Sequence, residues 1–216
     1  MWRELVRLGL PMGLSNLVEI TSFTLVSLFI ASLGATVVAG HRIIANISAL
    51  TYMLPLSLAI ATMAAVGQAV GGRDRLRAHA TIKAGLILAA GLSTLAGLLL
   101  WFATAPLVAA YTDDPAVRAI ATSLVIYVAI YQFFDALQTV AGHALRAYRV
   151  TFVPMLVQTF CFWGVGLLGG AWLCYRWQPA LGVAGFWLAA VIGLVLAAAL
   201  LLPLLYQAVK ASESSS

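Results

Sequence analysis

Two carboxylates stand alone in long apolar stretches of this 216-residue chain. Glu19 lies about midway along the first stretch, and Asp135 somewhat past the middle of a run from Ala119 to Leu145. Neither run holds a Lys or Arg that could neutralise its acid. A carboxylate at the centre of a bilayer costs roughly 2.5–3.5 kcal/mol on insertion scales. Each must therefore face a bundle interior or a wet cavity, or be protonated. A carboxyl so placed can load and release a proton, or hold a desolvated cation through its oxygens. Helical spacing adds polar groups beside Asp135: Tyr131 four residues before it and Gln138 three after share its face. The Tyr131 phenol can ligate a cation or hydrogen-bond a carboxylate. Asn16 stands three residues before Glu19 as a possible supporting group. His41 and His143 sit at span boundaries beside Arg42 and Arg146, where an interfacial role is expected first and a coupling role second.

The composition says what must position these groups. Hydrophobic residues make up 63% of the chain and charged residues 9%, with a mean hydropathy of +1.02. A soluble domain carries about 25% charged residues, so too few polar side chains exist here to cover a water-facing surface. Reading from charge to charge gives six runs, each longer than the ~20 residues a helix needs to cross a bilayer. They are continuous rather than alternating, which argues against a barrel. The expectation is an all-α integral membrane lobe over residues 1–210, with spans near 8–33, 43–70, 84–111, 119–145, 150–175 and 182–207. Residues 211–216, rich in serine, read as a disordered tail. Gly34, Gly71-Gly72 and Asp113-Asp114-Pro115 read as connectors, with Thr112 or Asp113 as helix stop and new cap. Pro11, Pro55, Pro154 and Pro203 fall within or near the ends of spans, where lipid-embedded helices tolerate them as kinks.

Lys and Arg number nine in the N-terminus, second and fourth connectors and C-terminus, against three (Arg42, Arg118, Arg176) in the other connectors. That bias places both termini in the cytoplasm. The basic stretch GGRDRLRAHATIK (71–83) is explained by the same bias and calls for no nucleic acid. Trp2, Trp101, Trp172 and Trp177 lie near span ends as an aromatic belt, whereas Trp163 and Trp187 lie deeper, as packing or cavity residues. The two cysteines, Cys161 and Cys174, have neither disulfide-framework nor metal-site spacing and read as packing residues. No HExxH, GxSxG or P-loop lysine motif is present, so no enzyme is expected and no cofactor beyond a coupling ion.

Several segments together resemble the second lobe of multidrug and toxic compound extrusion (MATE) transporters, in the NorM-like branch. They are LGLPMGLSNLVEITSF (8–23), AGHRIIANISALTYMLPLSLAIATMAAVGQAVG (39–71), YTDDPAV (111–117), YQFFDALQTVAGHALRAYRVT (131–151) and LGVAGFWLAAVIG (181–193). The resemblance implies a six-helix lobe that exchanges H⁺ or Na⁺ for organic cations. It implies that Glu19, Tyr131 and Asp135 form the cation site, with Na⁺ as one possible occupant. His41 matches a common family histidine, whereas Arg42 departs from the uncharged residue expected beside it. The family pattern is about twice as long as this chain. The expected partners are therefore lipid, organic-cation substrates, and a first-lobe half or a second copy of the chain. A lipid-linked or polysaccharide exporter of the same superfamily, or a half-subunit serving only assembly, are the alternative readings.

Overall fold

The computed structural model describes residues 2–177 and 180–214, and every regular element among them is helical. Helices α1 (Trp2–Ala31), α2 (Ala35–Gly71), α3 (Arg75–Phe102), α5 (Pro115–Ala147) and α8 (Val183–Ser214) each cross the bundle; short α4 (Thr104–Ala109) follows α3. The remaining crossing is composite: α6 (Phe152–Thr159), a π-helical stretch (Phe160–Gly169) and α7 (Gly170–Tyr175). Six of these units are long and apolar enough to span a membrane. Large apolar side chains such as Leu98, Phe160 and Leu200 cover the outside, which suits lipid and would be an aggregation surface in water.

Four boundaries in particular differ from the charge-to-charge reading. Helix α2 starts at Ala35 and α3 at Arg75, so Arg42 and the Arg75–Lys83 segment lie within helices. Long basic side chains reach water from a helix end, and a charge marks a membrane edge better than a helix edge. The third span stops at Phe102, short of the expected residue 111, because Pro106 has no N–H for the Phe102 carbonyl and fits the first turn of a new helix. The Thr104 hydroxyl covers the Leu100 carbonyl at 2.7 Å across this break. Helix α8 continues to Ser214, into the segment expected to be disordered; Ser215 and Ser216 lie outside the described residues. The cap before Pro115 is Asp114, whose carboxylate accepts from Ala116 N at 2.8 Å. Thr112 and Asp113 instead bond the Asp114 N–H and Arg118.

Helix α5 is the hub, packed against α2, α3 and α8. Its small residues Ala121, Ala136, Ala141 and Ala144 are fully buried. Close approach rests on glycine where two backbones meet: a Cβ on Gly193 would lie 2.7 Å from the Cys161 carbonyl oxygen, and one on Gly97 3.2 Å from that of Ala129. Helix α1 stands apart from α5 and leans on the composite span. Polar contacts tie it there: Ser22 Oγ donates to the Phe162 carbonyl (3.1 Å), Trp163 Nε1 to that of Val18 (3.2 Å) and Tyr175 Oη to that of Phe29 (2.7 Å). Between α1 and the hub this leaves a space.

Candidate functional site

That space is a cavity of about 390 Å³ walled by α1, α2, α5, the π-helical stretch and α8. Glu19 enters from α1; Tyr131 and Asp135 enter from successive turns of α5; His41 and Tyr52 come from α2, and Trp187 from α8. The two isolated carboxylates thus share one chamber although 116 positions separate them in sequence. Tyr52 Oη donates to Glu19 Oε1 at 3.4 Å. Gln138 Nε2 donates to Asp135 Oδ1 at 2.9 Å, and the Thr139 hydroxyl also bonds this carboxylate, which together hold it in place. Rings line the rest: Tyr131 lies edge-on to both Phe23 and Trp187, and Trp187 is tilted against His41.

Asp135 is bracketed by two buried glutamines. Gln132, one turn before it, donates to the Ser48 carbonyl at 2.9 Å and also to the Ser48 and Thr51 hydroxyls, which fixes α5 on α2. Gln138, one turn after it, accepts from Gln158 Nε2 at 3.3 Å, which ties α5 to α6. Both are 1% exposed. Bonding such amides on both sides limits the freedom of the acid between them.

The fold brings Glu19, Tyr131, Asp135 and His41 to the cavity and places Gln138 directly behind Asp135. Asn16 is not brought in: it is exposed, and the cavity wall on α1 begins at Glu19, a turn beyond it. His143 bonds the Thr139 carbonyl at 2.8 Å and the Arg146 guanidinium at 3.5 Å, and does not line the cavity. Of the deeper tryptophans, Trp187 lines the cavity and Trp163 braces α1. Cys161 and Cys174 are buried and unpaired, and Cys161 also borders the cavity. Tyr52 and Gln158 carry no signal in the sequence, since the partner of each lies on a different helix.

The donor set is chemically specific. Two carboxylates and two phenols offer hard oxygen ligands, the kind that suit a proton or an alkali cation. Among the described residues no three His, Cys, Asp or Glu side chains converge as a transition-metal site.

Comparison with known proteins agrees with this architecture. The MatE family model matches residues 11–172. A protein of Aromatoleum aromaticum described as "Probable multidrug resistance protein NorM" is 54% identical over 199 residues, covering 91% of this chain and 43% of that protein. "Multidrug resistance protein PmpM" of Pseudomonas aeruginosa is 39% identical, with 91% of this chain and 42% of that protein covered. Both relatives are described as multidrug resistance proteins. Among solved structures, a multidrug resistance MATE family transporter of the MOP superfamily in an outward-facing conformation superposes with a TM-score of 0.88 at 16% identity, over 98% of this chain and 47% of that one. A MATE structure in the straight conformation gives 0.89 at 16% identity, over 99% and 48%. The likeness shows a shared fold, and the chain spans a little under half the length of the relatives it matches. With its six spans and a family match running from the first span into the fifth, this multi-pass membrane protein belongs to the MatE family.

Proposed function

We propose that the chain is the cation-coupling lobe of a multidrug antiporter that exports organic cations in exchange for H⁺ or Na⁺. The observation that carries this reading is the meeting of Glu19 and Asp135, from helices distant in sequence, in one aromatic-lined cavity with Tyr52 and Tyr131. Each monovalent cation that enters cancels one of the two negative charges of Glu19 and Asp135. It thereby favours whichever transporter state keeps the cavity closed, and an organic cation leaves as that equilibrium shifts. A ligand moves such an equilibrium only through its different affinity for the two states. Glu19, Tyr131 and Asp135 are the coupling residues in this reading, with Gln138 and His41 in support. A sodium ion, when bound, supplies positive charge that the carboxylates would otherwise have to take up as protons. The names of the relatives support the drug-export part, and the Lys and Arg distribution supports a cytoplasmic-membrane location with both termini inside. Transport then takes place with a first-lobe chain or a second copy as partner.

Ethidium efflux from pump-deficient bacteria tests it, with wild-type chain and Asp135→Asn compared at matched membrane insertion, alone and with a first lobe supplied in trans. Energy-dependent efflux that Asp135→Asn abolishes is expected in at least one arrangement. Undiminished efflux by Asp135→Asn would remove Asp135 from coupling.

A further inference from the structure

The amide of Gln138 points the wrong way for a cation. Its Nε2 donates to Asp135 Oδ1 at 2.9 Å and to Thr139 Oγ1 at 3.0 Å, while its Oε1 accepts from Gln158 Nε2 at 3.3 Å. All four side chains are buried. This arrangement suits a carboxylate with no ion on it. An alkali ion reaching Oδ1 repels the N–H pair that faces the same oxygen and attracts a carbonyl oxygen. Turning the Gln138 amide over supplies that oxygen and gives up the bond to Thr139, whose hydroxyl also serves the Asp135 carboxylate. The same turn sets Gln138 Nε2 against Gln158 Nε2, two donors with no acceptor between them. In this orientation of Gln158 the bond between the two amides is lost.

We propose that Gln138 is a latent ligand for a sodium ion at Asp135, and that its bond from Gln158 holds it in the non-ligating orientation until the ion arrives. The inference rests on the reading of this cavity as a cation site. Oxygen donors on the page fit such an ion: the Glu19 and Asp135 carboxylates and the Tyr52 and Tyr131 phenols line the cavity, and Gln138 adds a neutral carbonyl behind them. Gln158 is a positioning residue in this scheme, since it acts through Gln138. It also lies two residues before the π-helical stretch, whose Cys161, Phe162 and Gly166 form the opposite wall of the cavity. Ion capture on α5 is thus passed to the composite span through one hydrogen bond.

The scheme makes a prediction of unusual sign. Removing Gln158 as a donor frees Gln138 to turn, so Gln158→Leu and the near-isosteric Gln158→Met bind Na⁺ more tightly than wild type, by about fivefold for the release of one buried hydrogen bond. Gln138→Leu, which lacks the carbonyl, binds it more weakly. The measurement is calorimetric titration of NaCl into the purified full-length chain in detergent, with choline chloride holding ionic strength constant, and Asp135→Asn run beside it. Tighter binding by both Gln158 variants, with weaker binding by Gln138→Leu, is the expected result. Unchanged or weaker binding by both Gln158 variants overturns the inference and leaves the cavity as a cation site, provided that Asp135→Asn still abolishes binding. Sodium binding that survives Asp135→Asn overturns the inference together with the site on which it rests. No sodium binding by wild type overturns the inference alone, since the efflux comparison can still establish coupling to protons.

Discussion

Gly193 offers the sharpest test of the packing that closes the cavity. It faces the π-helical stretch from α8, and a methyl group on it would sit 2.7 Å from the Cys161 carbonyl oxygen, with the Gly166 nitrogen at 3.7 Å. The obstructing atom is backbone, so no side-chain rotation relieves it. Reaching ordinary van der Waals contact requires α8 and the composite span to part by at least about 0.7 Å, a strain that typically costs about 1–3 kcal/mol in a well-packed interior. Gly91→Ala is the control. Gly91 is exposed on α3 with no atom within 4 Å of a built Cβ, so there the alanine brings only the helix preference of up to about 1 kcal/mol. The same preference acts at Gly193 and offsets part of the strain. Gly193→Ala is therefore expected about 0–2 kcal/mol less stable than wild type and about 1–3 kcal/mol less stable than Gly91→Ala, the latter roughly 2–12 °C in the unfolding midpoint for a chain of this size. Thermal unfolding of purified protein followed by tryptophan fluorescence reads both variants. Because Cys161, Phe162 and Gly166 line the cavity, ligand affinity should fall as well for Gly193→Ala and stay constant for Gly91→Ala. Equal or higher stability of Gly193→Ala compared with Gly91→Ala would refute the close backbone contact and with it the account of how this wall is held.

Two further perturbations address the site and its scaffold. Tyr52→Phe removes the hydroxyl that donates to Glu19 and leaves the ring in place. Efflux is expected to fall about fivefold, the worth of one modest hydrogen bond, with the unfolding midpoint lowered by no more than about 2–4 °C; efflux equal to wild type would show that Tyr52 only fills space. Asp114→Ala removes the carboxylate that caps the start of α5. It should cost about 1 kcal/mol of stability without altering the relative affinities of different cations, and a changed cation preference would mean that the cap reaches the site in some way the fold does not show.

Much of this protein is legible in its amino-acid order. Six apolar runs longer than a bilayer is thick can fold there only as helices, because every backbone N–H and C=O must find a partner inside its own segment. The isolation of Glu19 and Asp135 is equally local information: a carboxylate without a neighbouring cation in such a run needs a polar interior, whatever the fold. Helical period alone sets Tyr131 and Gln138 beside Asp135, and the structure has both there. Charges were poorer guides to helix ends. Arg42 and Arg75 lie inside helices because a basic side chain can reach the interface from within one. Only the tertiary structure decided what depends on distant parts of the chain. It joined Glu19 to Tyr52 and to the face of Asp135, left Asn16 outside, and supplied Gln158 as the far end of the Gln138 bond. It also turned the glycine-rich stretch 160–169 into a π-helix braced by α1 and α8. Such contacts arise where one helix's gap meets another's side chain, and no periodicity along a single helix records which partner will stand opposite.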